Sequence, residues 1–348
     1  MTEPAPELRY GSDEEPGYRR LGRTRFRYVD ARGRPLSERE VARIRRLAIP
    51  PAWTDVWIAP GPDWHIQATG RDSRLRKQYR YHDAFRAERE ATKFDDLRQF
   101  GRDLPGLRRA VDRDLADQAL SHARVVAAVV RLLDLTHLRV GNEEYARANR
   151  SYGLTTLRRH HARVGTTALQ LRFRGKSAHE FDVVIRDPKV LRVVRGLQHL
   201  PGQVLFQYED DDGIVRPVGS TDVNAYLQAH SCATATAKTF RTWSASVMAA
   251  TRLASMDPPS STRERSRTIN TALRDVAFEL GNTLAVCKRS YVHPVVFKAF
   301  DDGRLAERWD RAAPSRPSGL AADERRFWHL LAARRSLRSA ATRGATGA

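Results

Sequence analysis

The sequence predicts an α+β protein in two parts: a small strand-rich N-terminal domain, then a larger, mainly helical domain carrying one β-hairpin. Three observations lead there. Up to about residue 85, short β-type runs are separated by Gly, Pro and Asp. Beyond that, apolar residues recur at helical spacing. Within the helical part, "ALQLRFRGKSAHEFDVVI" switches to period two, with Leu169, Leu171 and Phe173 answered by Phe181, Val183 and Ile185.

Residues 1–20 are polar and Pro-rich and are expected to form a mobile segment. "FRYVDARGRPLS" follows as a strand, a turn and a helix start, with Ser37 and Glu40 at capping-box spacing ahead of "EREVARIRRLAI". Pro50-Pro51 are expected to end that helix, and "TDVWIA", "WHIQATGRD" and "RKQYRYH" supply further strands, so that 21–88 forms the first domain. From "DAFRAEREATKFDDLRQFGRDL" the pattern is helical, with a long apolar helix over 117–135. The hairpin turns at Gly175-Lys176-Ser177, and helices are expected at 221–229, 234–254 and 267–280. In the last of these Ile269, Leu273, Val276 and Leu280 share a face, and Gly281 is placed to cap its C-terminus. The second domain thus runs over 89–310. Residues 311–348 are expected as a basic tail, a Pro/Ser linker followed by an Arg/Ala-rich amphipathic stretch, and no internal repeat is found.

The 348 residues carry 61 Lys plus Arg against 41 Asp plus Glu, a formal charge of +20. A surplus spread through folded-looking sequence points to a polyanion, with nucleic acid first. No apolar run reaches about 18 residues and no basic amphipathic helix dominates, which argues against a membrane partner. The N-terminus lacks an apolar h-region, and the expected location is cytoplasmic. Cys232 and Cys287 make neither a disulfide framework nor a CxxC pair, and the histidines fall into no ligand spacing, so neither a metal nor any other cofactor is expected.

The chemistry lies in scattered cations and one tyrosine. "RGKS" at 174–177 is no P-loop, because that motif needs glycine where Gln170 stands and a strand–loop–helix setting. "HLRVGNEEY" sets Arg139 just after an apolar helix, where an arginine would ordinarily cap carbonyls. "AKTFRTW" puts Lys238 and Arg241 on one face of a helix, the pattern of any amphipathic helix. "GNTLAVCKRSYVHP" places Tyr291 three residues after Lys288. A phenol has a pKa near 10 and needs nearby cations to serve as a nucleophile. Jointly, a tyrosine, two arginines, a lysine and a hydrogen-bonding side chain are what phosphodiester transesterification requires.

In these stretches, over roughly residues 35–305, the chain resembles the type IB DNA topoisomerases, specifically their compact bacterial and poxvirus-like branch. "IPPAWTDVWI" and "QATGRDSRLRKQYRY" are similar to that branch's N-terminal DNA-clamping domain. "LRVGNEEY", "FRGKSAHEF", "DVNAYL", "AKTFRTW" and "GNTLAVCKRSYVHP" are similar to its catalytic domain, and they occur in the family's order. The resemblance implies a tyrosine-recombinase-like catalytic fold and relaxation of supercoiled DNA through a 3′-phosphotyrosyl intermediate, without ATP or metal. It implies Tyr291 as nucleophile, Arg139 and Arg241 on the scissile phosphate, and Lys176 as general acid. It also implies DNA contacts at Gln78, Tyr79, Tyr81, Tyr145 and Lys238. Nine residues before the tyrosine the family usually has histidine, whereas this chain has Asn282, which can donate a hydrogen bond but cannot titrate. The expected partner is double-stranded DNA, bound by a monomer associated with the nucleoid. A tyrosine recombinase would share this chemistry, and a non-catalytic DNA-binding protein would share only the charge.

Overall fold

The computed structural model describes residues 7–22, 25–73, 75–92, 94–311 and 317–343, with the side chains of 90, 91 and 333–343 left aside. The chain forms two compact units, residues 1–94 and 95–348.

In the first unit, five antiparallel strands pair in the spatial order Arg27–Val29, Tyr18–Leu21, Thr54–Ile58, Ile66–Arg71 and Lys77–Tyr81. Helix Glu38–Arg46 lies on this sheet because Ile44 packs with Val56, Ile58 and Ala68 in a small buried cluster. Ser37 Oγ caps the helix by accepting the Glu40 N–H at 3.3 Å, while the Glu40 carboxylate pairs with Arg43. The helix stops at Arg46, with Ala48 left-handed at φ 49°, ahead of the Pro50-Pro51 expected to end it. The expected mobile N-terminal segment differs as well. Arg9 bridges to Trp64, the Trp57 indole donates to the Glu15 carbonyl at 2.9 Å, and Tyr18–Leu21 sits inside the sheet. These polar residues are ordered by backbone pairing and by two tryptophans, which hydropathy does not reveal. Residues 1–6 lie outside the described residues.

The second unit is built around helix His122–Thr136, whose Val125–Val130 run, Leu132 and Leu133 are buried. It starts at the Ser121 cap rather than at 117, because Asp117 to Leu120 make a turn in which Asp117 accepts from Ala119 and Ser121. Around it pack Leu97–Asp114, Pro188–Leu197, Ser220–His230 and Ala237–Ala254. The expected hairpin is strands Leu169–Arg174 and Glu180–Ile185 in antiparallel register, Leu171 opposite Val183 and Phe173 opposite Phe181, with Ala162–Val164 as a third strand. Its core-side residues Leu169, Leu171, Phe173, Phe181 and Ile185 are buried, as period-two alternation requires.

The stretch expected as a tail does more than trail. Leu320, Phe327, Leu330 and Leu331 are buried, and Trp328 donates its indole N–H to the Arg98 carbonyl at 3.0 Å. The Arg108 guanidinium is shared between Asp134 and Glu324 at 2.8 Å each, and Glu324 also accepts the Trp243 indole N–H at 3.2 Å. Residues 312–316 and the side chains beyond 332 lie outside the described residues.

Candidate active site

Helix Thr262–Glu279 ends in a Schellman turn. The Gly281 N–H bonds the Phe278 carbonyl at 2.9 Å, and the Asn282 N–H bonds the Ala277 carbonyl at 2.8 Å. Gly281 takes φ +58°, and a Cβ there would lie 2.7 Å from the Phe181 ring, so glycine is required twice over. The turn leaves the Leu280 and Gly281 carbonyls pointing away from the helix without intrahelical partners.

Those carbonyls hold the arginines. Arg241, on helix Ala237–Ala254 and 3 % exposed, donates to the Leu280 carbonyl at 2.7 Å and to the His137 carbonyl. His137 is the left-handed C-cap of His122–Thr136 at φ 56°, so one guanidinium closes the C-termini of two helices, where the dipoles favour a cation. Arg139 donates to the Gly281 carbonyl at 3.1 Å, to Asn282 Oδ1 at 2.5 Å, and at 3.5 Å to Leu280. The backbone behind Arg139 is fixed by close approach. Gly141 takes φ +106°, and a Cβ on Gly153 would sit 2.6 Å from both the Arg139 carbonyl and the Gly141 nitrogen.

Tyr291 caps helix Leu284–Ser290, which starts at Thr283. Its ring lies 5.1 Å from the Arg241 guanidinium carbon and 5.9 Å from Lys238 Nζ. Burial opposes ionisation of the phenol, but Arg241, Arg139 and Lys238 together outweigh it and hold Tyr291 below its ordinary value. Arg241 is drawn down to about 10, by burial first and by Arg139 second. Burial pushes the neighbouring Cys287 thiol up to about 11, which keeps it neutral.

Arg139, Tyr145, Lys176, Lys238, Arg241 and Tyr291 line one cleft of about 420 Å³. Lys176 reaches it from the hairpin turn, where Ser177 and Ala178 take left-handed backbone conformations. Asn282 stands behind Arg139. Since arginine can only donate, the amide oxygen faces Arg139 and the NH₂ turns away, and Asn282 Nδ2 is buried without a hydrogen-bond partner. Gln78, Tyr79 and Tyr81 belong to the other unit. Tyr79 and Tyr81 stack 5.8 Å apart on the outer face of the edge strand. Gln78 points to the opposite face, where it donates to Asp72 at 3.0 Å.

One contributor was not singled out from the sequence. Ser246 Oγ, fully buried, sits between the Thr242 carbonyl at 2.7 Å, the Tyr291 carbonyl at 3.1 Å and the His293 N–H at 2.9 Å. It ties the tyrosine's backbone to the helix that carries Lys238 and Arg241. A serine on the apolar side of an amphipathic helix was the only available signal, and it also fits plain back-bonding to the carbonyl of i−4.

An assembly of this kind, a tyrosine ringed by guanidinium and ammonium groups on a helical scaffold, is chemically suited to phosphoryl transfer. Residues 82–310 match the family described as eukaryotic DNA topoisomerase I, catalytic core, and residues 25–72 match that of the bacterial DNA topoisomerase IB N-terminal domain. DNA topoisomerase 1B of Acanthamoeba polyphaga mimivirus is 35% identical over 264 residues, 74% of this chain and 79% of its own. DNA topoisomerase 1 of Mycosarcoma maydis is 28% identical over 181 residues, 47% of this chain and 18% of its own. The chain belongs to the type IB DNA topoisomerases, a family of enzymes that act on DNA.

Proposed function

We propose that this topoisomerase relaxes supercoiled double-stranded DNA by cutting and resealing one strand through Tyr291, as a monomer and without ATP or metal. The observation that carries the reading is the depressed Tyr291 phenol, set among three cations in the cleft that Lys176 also enters. The phenol loses its proton to solvent, and its oxygen attacks the phosphorus. A phosphotyrosyl bond forms at the 3′ side while the bond from phosphorus to the 5′-oxygen breaks. Lys176 gives a proton to the departing 5′-oxygen, which leaves as a hydroxyl. Arg139 and Arg241 stabilise the charge that builds on the non-bridging oxygens, and the Asn282 NH₂, buried behind Arg139 and unpartnered in this structure, turns toward the phosphate to add a donor.

Resealing runs backwards: the 5′-hydroxyl attacks the phosphotyrosine, Lys176 takes the proton back, and Tyr291 departs as phenolate. The phosphotyrosyl link conserves the energy of the broken bond, so no nucleotide is consumed. Tyr145 and Lys238 hold the neighbouring phosphates, and Gln78, Tyr79 and Tyr81 contact the duplex from the first unit. A supercoiled DNA substrate puts the proposed site of action at the nucleoid in the cytoplasm; no helix among the described residues is long and apolar enough to cross a membrane.

The test is relaxation of supercoiled plasmid in EDTA by wild type and Tyr291→Phe. Wild type should relax it and form a covalent DNA adduct, and the variant should bind DNA with near-normal affinity and do neither. Relaxation by Tyr291→Phe would remove the nucleophile. Recombination between paired sites without plasmid relaxation would favour a recombinase, and binding with no cleavage at all would leave only a DNA-binding protein.

A further inference from the structure

We propose that His179 and Phe278 form a surface clasp that positions the Lys176 turn over the reacting phosphate. The proposal deepens the reading above and rests on Lys176 being the proton donor.

The turn needs outside support. Ser177 and Ala178 both sit in the left-handed region, at φ 63° and 62°, which costs non-glycine residues energy and persists only where the surroundings enforce it. Within the turn, the Gly175 N–H bonds the His179 carbonyl at 2.7 Å, while the His179 N–H reaches the Lys176 carbonyl only at 3.5 Å, the edge of hydrogen bonding.

Support comes from side chains. The His179 imidazole packs 4.6 Å from the Phe181 ring and meets Phe278 edge-on, centroids 5.6 Å apart at 81°. Phe278 is 72% exposed, so burial does not explain a phenylalanine there, and among the described residues the ring it meets is that of His179. Phe278 also belongs to the Schellman turn, since its carbonyl accepts the Gly281 N–H. The clasp therefore joins the turn that carries Lys176 to the turn whose carbonyls hold Arg139 and Arg241. It governs where the proton donor stands relative to those arginines. Because it is exposed, it can be broken without opening the core, and its loss is felt in protonation of the leaving 5′-oxygen.

The experiment is single-turnover cleavage by the full chain of two duplexes, one ordinary and one with sulfur replacing the bridging 5′-oxygen. A thiolate leaves without a proton, so the second substrate bypasses the acid. Phe278→Ala and His179→Ala should each slow the ordinary substrate by about 2- to 12-fold, the range one aromatic pair can hold. Both should cleave the sulfur substrate at the wild-type rate, and Phe278→Tyr should restore the ordinary rate. Equal slowing on both substrates, or no slowing on the ordinary one, overturns the clasp. Lys176→Ala, run alongside, separates the failures. If it is rescued by sulfur and the clasp variants are not, the clasp alone is wrong. If it is not rescued, the acid assignment fails and the clasp falls with it.

Discussion

Asn282 offers the sharpest test of how this site is built, because its two ends do different work. Its oxygen accepts from Arg139 at 2.5 Å and its buried nitrogen donates to nothing. Truncation to alanine removes a charge-assisted hydrogen bond, about 1.5–3 kcal/mol, and relieves a buried unsatisfied donor, about 1–3 kcal/mol. Arg139 keeps the Gly281 carbonyl at 3.1 Å. The two terms oppose each other, so the folding stability of Asn282→Ala should stay within about 1–2 kcal/mol of wild type. The rate should not be spared. A donor aimed at a non-bridging oxygen in the transition state is worth about 10²–10³-fold, or about 2.7–4 kcal/mol. Asn282→His should retain most activity through a neutral imidazole N–H, and should acquire a pH inflection in the range about 6–7 that asparagine cannot have. The assay is single-turnover cleavage across about pH 5–9 with saturating enzyme, paired with urea melts of the same proteins. An alanine variant as fast as wild type would refute the reasoning and reduce Asn282 to a support for Arg139.

Two further outcomes follow from the electrostatics. In the proposed mechanism attack needs the phenolate, so cleavage should rise with pH and level off once pH passes the Tyr291 value, which lies below the ordinary 10.0. Arg241→Gln should move that inflection upward and Lys238→Gln should move it up by less, following their order of influence, and an inflection unmoved by both would contradict the cation account. Glu324 is buried, which raises its carboxyl, but Arg108 and the Ala321 N–H overcome this and hold it below 4.5. The unfolded chain therefore binds the proton more readily. The stability Glu324 contributes is complete above about pH 4.5 and is lost as pH falls through its folded value. Glu324→Gln should cost about 1–3 kcal/mol at neutral pH in urea melts and should lose less on acidification than wild type. Parallel losses would show that the pair is not the acid-sensitive element.

The parts of the fold written in side-chain periodicity were legible. The hairpin followed from its alternation, and the Gly281 cap from an apolar helical face that stops at Leu280. The central helix starts later than its apolar pattern suggests, because Leu120 extends that pattern to the N-terminal side of the Ser121 cap. Order in residues 8–21 was not legible, since it comes from strand pairing and the Trp57 and Trp64 contacts with polar sequence. The Arg/Ala-rich C-terminal stretch read as a tail because its polar anchors, Glu324 on Arg108 and the Trp243 indole, and Trp328 on the Arg98 carbonyl, lie far away in the sequence. At the site, residue types and order pointed to one cleft, but most of what holds its two arginines could not be read, because it is main chain.

Anchorage by main-chain oxygens changes how such a site responds to mutation. Arg241 is held by the carbonyls of His137 and Leu280, and Arg139 by that of Gly281, atoms that every residue possesses. Exchanging the side chain at 280 disturbs packing, and at 137 or 281 it disturbs a left-handed backbone, yet the oxygen itself survives every substitution. An alanine scan would register the arginines and Asn282 and overlook these carbonyls. Only a change in the peptide linkage, such as an insertion that turns a carbonyl aside, would expose them, so tolerance at these positions says little about their part in the chemistry.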